Sequence, residues 1–424
     1  TRERNALRRL GRDIPYSTEA GRPPRRFVLR WIVLPFVAAI VVLGGLQWFR
    51  PLGHPVFRSA ISTSLRLPGT PPALPWPTMG AAALAMQGEG LIGTSGTTAP
   101  LPISGLVKVM TAYVVLRDHP ITGTGEGPSI VVGATTVAAY QADLASSEAT
   151  IPVTAGESLT ELQALEGMLV ASASDMAVLL ADWDGGNTTT FVAKMNLTAD
   201  ALGLRATHFA DPSGASSASV STPTDMIRLG EAAMALPAFR DLAAMPQATL
   251  PLAGVVYSLD IDLGRGGFVG IKTGADTVAG GNYLFEAQRS VDGREVTLVG
   301  AVLGQHTSNP TASALFAAYV LVADVFSVIG PQPLVAADHP IGRLVAPWGA
   351  SVPVTAVSGS AEVMGFPGQR VLVHLALNRL PTTIPSGDHV GVLKVESAGL
   401  QSTVVLRTAR ALPGPSVMWR LTRR

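Results

Sequence analysis

The 424-residue chain predicts an α+β domain with a mainly antiparallel sheet, a small all-β domain after it and a transmembrane helix before it. Three observations carry this. The middle of the chain reads strand, helices, strands, helix, with turn residues between. Beyond about residue 329, apolar and polar residues alternate. Near the start, Trp31 to Phe49 runs 19 residues without a charge.

Composition narrows the function. Hydrophobic residues make up 47% and charged residues 14%, with the apolar excess spread along the whole chain. A net charge of +1 predicts no nucleic-acid partner. The absence of cysteine excludes disulfides, thiol catalysis and cysteine-bound metals. Seven histidines form neither H-E-x-x-H nor H-x-H, so no zinc site, no other metal and no cofactor is expected.

The first element is the membrane helix. Residues 1–30 carry nine arginines against Glu3, Asp13 and Glu19, which places them on the cytoplasmic side. The run at 31–49 is long enough to span a bilayer core, and Trp31, Trp48 and Phe49 mark its two interfaces. The long arginine-rich flank and the lack of an A-x-A site favour an uncleaved signal anchor over a removed signal peptide. Residues 51–424 then lie outside the membrane. Seven prolines between 51 and 78 predict a semi-rigid stalk over 50–78.

The main domain is expected over 79–328. Ala81–Met86 reads as a strand with Gly90–Thr94 as its hairpin partner. Pro100 and Pro102 end regular structure before an apolar helix from Ser104 to Leu116. Gly156–Leu169 reads as a helix with Leu159, Leu162, Leu165, Met168 and Leu169 inward. Helices also fit Met176–Trp183 and Thr190–Leu202. Thr222-Pro223-Thr224-Asp225 is a helix start, with a threonine cap and proline at the first position. Strands are expected at 248–257, 267–272, 282–287 and 295–303, and a last helix at 309–327. Pro331 and Pro333 mark the boundary to the β-rich domain, 329–424. There Val371, Val373, Leu375 and Leu377 point one way, and Val390–Val395 and Thr403–Leu406 are further strands.

One charge stands out inside the apolar helix. Lys108 is flanked by Val107, Val109 and Met110, and a lysine is rarely buried without a partner or a task. Pro102–Leu116 resembles the Pro-x-Ala-Ser-x-x-Lys-x-Met-Thr-Ala-Tyr segment of the D-alanyl-D-alanine carboxypeptidases, the low-molecular-mass penicillin-binding proteins. Ala171-Ser172-Ala173-Ser174-Asp175 resembles their Ser-x-Asn-Asp motif. Gly270-Ile271-Lys272-Thr273-Gly274, followed by Ala279-Gly280-Gly281, resembles their Lys-Thr-Gly strand. Thr207-His208-Phe209-Ala210-Asp211-Pro212-Ser213-Gly214 also matches the family's middle. Each motif alone is weak; their order and spacing together are specific.

The resemblance implies a penicillin-binding, β-lactamase-like transpeptidase domain, an antiparallel sheet with a helical subdomain. It also implies serine peptidase chemistry on peptidoglycan stem peptides. Lys108 would take the nucleophile's proton, Ser172 would relay protons and Lys272 would hold the terminal carboxylate. Ser174, Thr273, Gly274 and Ala275 would contact substrate, the N–H of Ala275 acting as one oxyanion donor. The family's nucleophile position, three residues before the lysine, is Gly105 here, and its asparagine is Ser174. Ser104 is a substitute hydroxyl four residues before Lys108, on the same helix face but displaced by about 100°. His208 and Asp211 are expected to be loop hydrogen-bonders rather than parts of a triad.

The expectation is therefore a membrane-anchored member of the family, impaired at its nucleophile, that binds wall peptides or another envelope protein. The alternatives are an active enzyme using Ser104 and a structural subunit of an envelope complex.

Overall fold

A computed structural model describes residues 25–61, 63–334, 340–357, 362–397 and 400–423. The expected cytoplasmic segment lies outside the described residues from 1 to 24.

The main domain is built on a five-stranded antiparallel sheet. Its order is Phe268–Asp276, Gly280–Val291, Arg294–Gln305, Ala81–Met86, Gly90–Gly96. Ala81–Met86 lies inside the sheet and is buried at every position, which its run of small alanines allows. Pro310–Val328 packs on one face through Ala314, Leu315, Ala318 and Leu321, against Phe268, Tyr283 and Phe285. It is long and apolar enough to cross a membrane, yet these residues make it a core helix. The helical subdomain covers the other face. Its axis is Val107–Asp118, where Val107 to Leu116 are all buried. A helix apolar all round must lie inside other helices, and it does.

Most predicted elements are present within a few residues. Thr222 caps Pro223–Met234 through Asp225 N–H at 3.2 Å, as its sequence implies. The helix expected over Gly156–Leu169 is shorter, Glu161–Leu169. Thr160 and Gln163 form a reciprocal cap at its start, which fixes the boundary. The residues before it, Ser158–Thr160, instead pair with Ser129–Val131. The strand expected over 248–257 is a hairpin, Gln247–Leu250 with Gly254–Tyr257, turned at Leu252 and Gly254 by positive φ angles.

The expected stalk needs the larger correction. Val56–Ser59 and Ser64–Arg66 are strands of the C-terminal sheet. That seven-stranded sheet runs Val56–Ser59, Pro340–Val345, Ser351–Ala356, Leu400–Thr408, His389–Ser397, Arg370–Leu377, Ser64–Arg66. The proline-rich segment thus supplies both edges of that sheet through two short strands free of proline. Leu67 is buried in that domain's core, and Trp76 packs over Gly93 of the main sheet. Along Arg370–Leu377, Val371 and Val373 are buried but Leu375 and Leu377 are exposed, so the predicted alternation holds only for the first half.

The segment Arg25–Phe49 is a helix whose described apolar side chains are exposed, among them Leu34, Phe36, Val41, Leu43 and Leu46. A short C-terminal helix, Val417–Thr422, returns to its end. There the Arg420 guanidinium lies 4.8 Å from the Trp48 ring, and Arg423 donates to the Gln47 carbonyl at 3.1 Å.

Candidate active site

Three loops and a strand meet around one cavity of about 390 Å³. The start of the central helix brings Ser104, Gly105 and Lys108. The turn before Ser174–Gly185 brings Ser172 and Ser174. The loop after Asp211 brings Ser213 and Gly214, and the edge strand brings Thr273 to Asp276. A further wall, Ser146 to Ala149, follows the helix Ala134–Ser146.

Two glycines allow this convergence. A side chain on Gly274 would put its Cβ 2.7 Å from the Gly105 nitrogen. A side chain on Gly214, whose φ is +90°, would put Cβ 1.9 Å from the Ser104 carbonyl oxygen. The 3-10 turn Ser104–Leu106 is therefore held between two backbones. Asp211 shapes the adjoining loop. Its carboxylate accepts from Ser213 N–H at 2.8 Å, Ser213 Oγ at 2.9 Å, Ser216 N–H at 3.0 Å and Ser219 Oγ at 3.1 Å. His208 is exposed and makes only a backbone bridge to Val220, so the two residues form no triad. Asp175 accepts from Ile151 N–H at 3.2 Å, bracing the helix that begins at Ser174.

Both site lysines are buried. Lys108 Nζ donates to Ser213 O at 2.7 Å and to Ser174 Oγ at 3.2 Å. Desolvation lowers its pKa from 10.5 to about 8, against the raising effect of Asp211 and Glu148. Lys272 Nζ donates to Ser172 Oγ at 2.9 Å and to Thr273 O at 3.0 Å. Desolvation, then the charge of Lys108, lowers its pKa to about 7, while Asp260 opposes the shift. Asp260 itself accepts from the Tyr283 hydroxyl at 2.8 Å.

At the position where the resemblance expects the nucleophile, Gly105, no neighbouring group occupies the side-chain space. A Cβ on Gly105 would lie 3.4 Å from Gly274 Cα, 3.4 Å from Thr273 O and 3.7 Å from Ser172 Oγ, all ordinary contacts. Gly105 is not among the positive-φ residues, so its backbone suits any L-residue. Ser104 lines the same cavity, but its φ is +46°, and Lys108 bonds Ser174 and Ser213 rather than Ser104.

Every predicted site residue except Lys272 itself lines this cavity, and Lys272 reaches it through its bond to Ser172. Chemically, the site brings together a desolvated amine, Lys108, and a hydroxyl, Ser172, bonded to a second desolvated amine, Lys272. Two features were missed in the sequence. The wall at Ser146–Glu148 lies at and just beyond the end of a helix that carries no motif. Asp260 sits on an irregular loop, and only the fold brings it behind Lys272.

A family model described as D-alanyl-D-alanine carboxypeptidase matches residues 87–307. The chain is 33% identical over 210 residues to a D-alanyl-D-alanine carboxypeptidase of Mycobacterium tuberculosis, covering 48% of this chain and 67% of that protein. A solved structure of a D-alanyl-D-alanine carboxypeptidase from Mycobacterium tuberculosis is similar with a TM-score of 0.51 at 27% identity, covering 62% of this chain and 94% of that one. Penicillin binding protein 5 from Haemophilus influenzae shares the fold over 81% of this chain and 98% of its own, with a TM-score of 0.55 at 19% identity.

Proposed function

Since the chain belongs to the D-alanyl-D-alanine carboxypeptidase family, whose work is cell-wall metabolism, we propose that it binds wall peptides ending in D-Ala-D-Ala without forming an acyl-enzyme. One observation carries this reading: Gly105 stands where the attacking hydroxyl belongs, in a pocket whose remaining groups are in place. The peptide's terminal carboxylate is held by protonated Lys272 and by the Thr273 hydroxyl. Its carbonyl oxygen faces the N–H groups of Gly105 and Ala275, the oxyanion donors of this reading. The stem peptide is the ligand, with another envelope protein as the competing occupant.

The protein is anchored in the cell membrane, with its two folded domains extracytoplasmic. This rests on the uncharged run at 31–49, on the exposed apolar side chains of its helix and on the family's place in the wall. At 1.5 Å per residue the run covers about 28 Å, close to a hydrocarbon core.

The test uses the full chain in detergent micelles. A fluorescent penicillin should leave no covalent adduct by intact mass, while a D-Ala-D-Ala peptide binds and Lys272→Ala abolishes that binding. An adduct that disappears in Ser104→Ala would instead make Ser104 the nucleophile. No peptide binding at all would leave a structural subunit. Gly105→Ser should create an adduct, since the added Cβ meets only ordinary contacts.

A further inference from the structure

We propose that the space left by the missing side chain at Gly105 holds a water molecule, and that this water hydrolyses the bound D-Ala-D-Ala end directly, in one displacement. The proposal rests on the binding reading above and adds an activity to it.

The space is the right kind. A serine at 105 would place its first side-chain carbon 3.4 Å from Gly274 Cα and from Thr273 O and 3.7 Å from Ser172 Oγ, so two of the three nearest atoms around this space are polar. A buried water needs two to four such partners and little more than its own volume. The cavity continues from there to Lys108 and is open to the ligand. A water standing in front of Gly105, outside contact with its Cα, would thus have Thr273 O and Ser172 Oγ as its polar neighbours.

The base is also set for this. A neutral lysine amine has two N–H bonds and one lone pair. The two hydrogens of Lys108 are engaged by Ser213 O and Ser174 Oγ, so its lone pair is left to accept a proton. Ser172 accepts a hydrogen bond from Lys272, which leaves its own hydroxyl hydrogen available to a water or to the leaving nitrogen.

The step balances without any co-reactant. The water oxygen bonds to the carbonyl carbon of the penultimate D-Ala while one water proton passes to Lys108 Nζ. The carbonyl oxygen becomes an oxyanion held by backbone N–H groups. On collapse the C–N bond breaks, and the proton on Lys108 passes to the leaving nitrogen. The products are a shortened peptide acid and free D-alanine. Active sites stripped of their nucleophile retain about 10³–10⁴-fold acceleration over water, and a positioned base contributes about 10²–10⁴-fold.

The experiment again uses the full chain in micelles, with an N-acylated D-Ala-D-Ala peptide and its more labile D-Ala-D-lactate ester. Binding is measured in the same samples by isothermal titration. D-lactate and D-alanine should be released above buffer, with a rate rising as pH passes through about 8. Lys108→Ala should lower the rate by about 10²–10⁴-fold while the peptide still binds. Penicillin should be opened slowly and released as the acid, with no mass added to the protein. Binding without release above buffer overturns the hydrolysis and leaves the binding reading intact. A covalent adduct overturns it in favour of an acyl-enzyme, and absence of binding removes both readings.

Discussion

At the scale of single residues, the site sets two lysines against each other. In the proposed reading Lys272 anchors a carboxylate only when protonated, and Lys108 acts as a base only when neutral. Burial holds both below their usual range, and the charge of Lys108 lowers Lys272 further. A bound carboxylate beside Lys272 favours its charged form, and that charge in turn keeps Lys108 neutral. Affinity for a carboxylate should therefore weaken as pH rises above about 7, while turnover by Lys108 strengthens through about 8. The same burial has a stability consequence whose sign is fixed. The folded pKa of Lys272 lies below its unfolded value of 10.5, so between about 7 and 10.5 the folded state binds fewer protons. Stability contributed by this group is complete above 10.5 and is lost as pH falls to about 7. Lys272→Met removes that cost. Its melting temperature should exceed the parent's at pH 6 by several degrees, and the gap should close by pH 10.5. A variant no more stable than the parent at pH 6 would show that the hydrogen bonds to Ser172 and Thr273 outweigh the desolvation.

At the scale of elements, the pocket depends on backbones approaching where no Cβ fits. Gly214→Ala would drive Cβ to 1.9 Å from the Ser104 carbonyl and would also strain a φ of +90°. Gly156→Ala, at a φ of +84° with nothing within 4 Å, carries the conformational cost alone, about 1 kcal/mol. Thermal unfolding of the pair separates the terms. Gly214→Ala should melt roughly 5 °C or more below Gly156→Ala and should lose peptide binding. Equal melting temperatures would mean that the loop after Asp211 moves away at little cost. Elements with their own capping chemistry were legible in the sequence. Thr222-Pro223-Thr224-Asp225 fixed its helix start, and the run around Lys108 fixed the central helix. Leu159 was misplaced because its leucine spacing fits a helix, while the boundary is set by the Thr160 and Gln163 cap three residues apart. The motif residues were legible because they are local in sequence. Glu148 and Asp260 were not, because only tertiary packing brings them near the lysines.

At the scale of the whole molecule, the chain between the apolar helix and the main domain is a structural part of the far end of the sequence. Residues 56–59 and 64–66 close both edges of the C-terminal sheet, and Leu67 fills its core. Prolines at 51, 55, 68, 71, 72, 75 and 77 looked like a spacer because proline composition reports backbone stiffness, not long-range pairing. The pairing partners lie some 290 residues away, for example Phe57 opposite Leu344. This arrangement places the β-domain next to the apolar helix, and Arg420 stacking near Trp48 fastens its end there. A chain cut to 79–424 should therefore lose more than a tether. Strands Pro340–Val345 and Arg370–Leu377 would each expose an unpaired edge, and edges of that kind recruit other chains. Size-exclusion chromatography with light scattering should find 79–424 aggregated, while 51–424 stays monodisperse. If 79–424 is as soluble and as stable as 51–424, the two edge strands contribute nothing to the sheet they close.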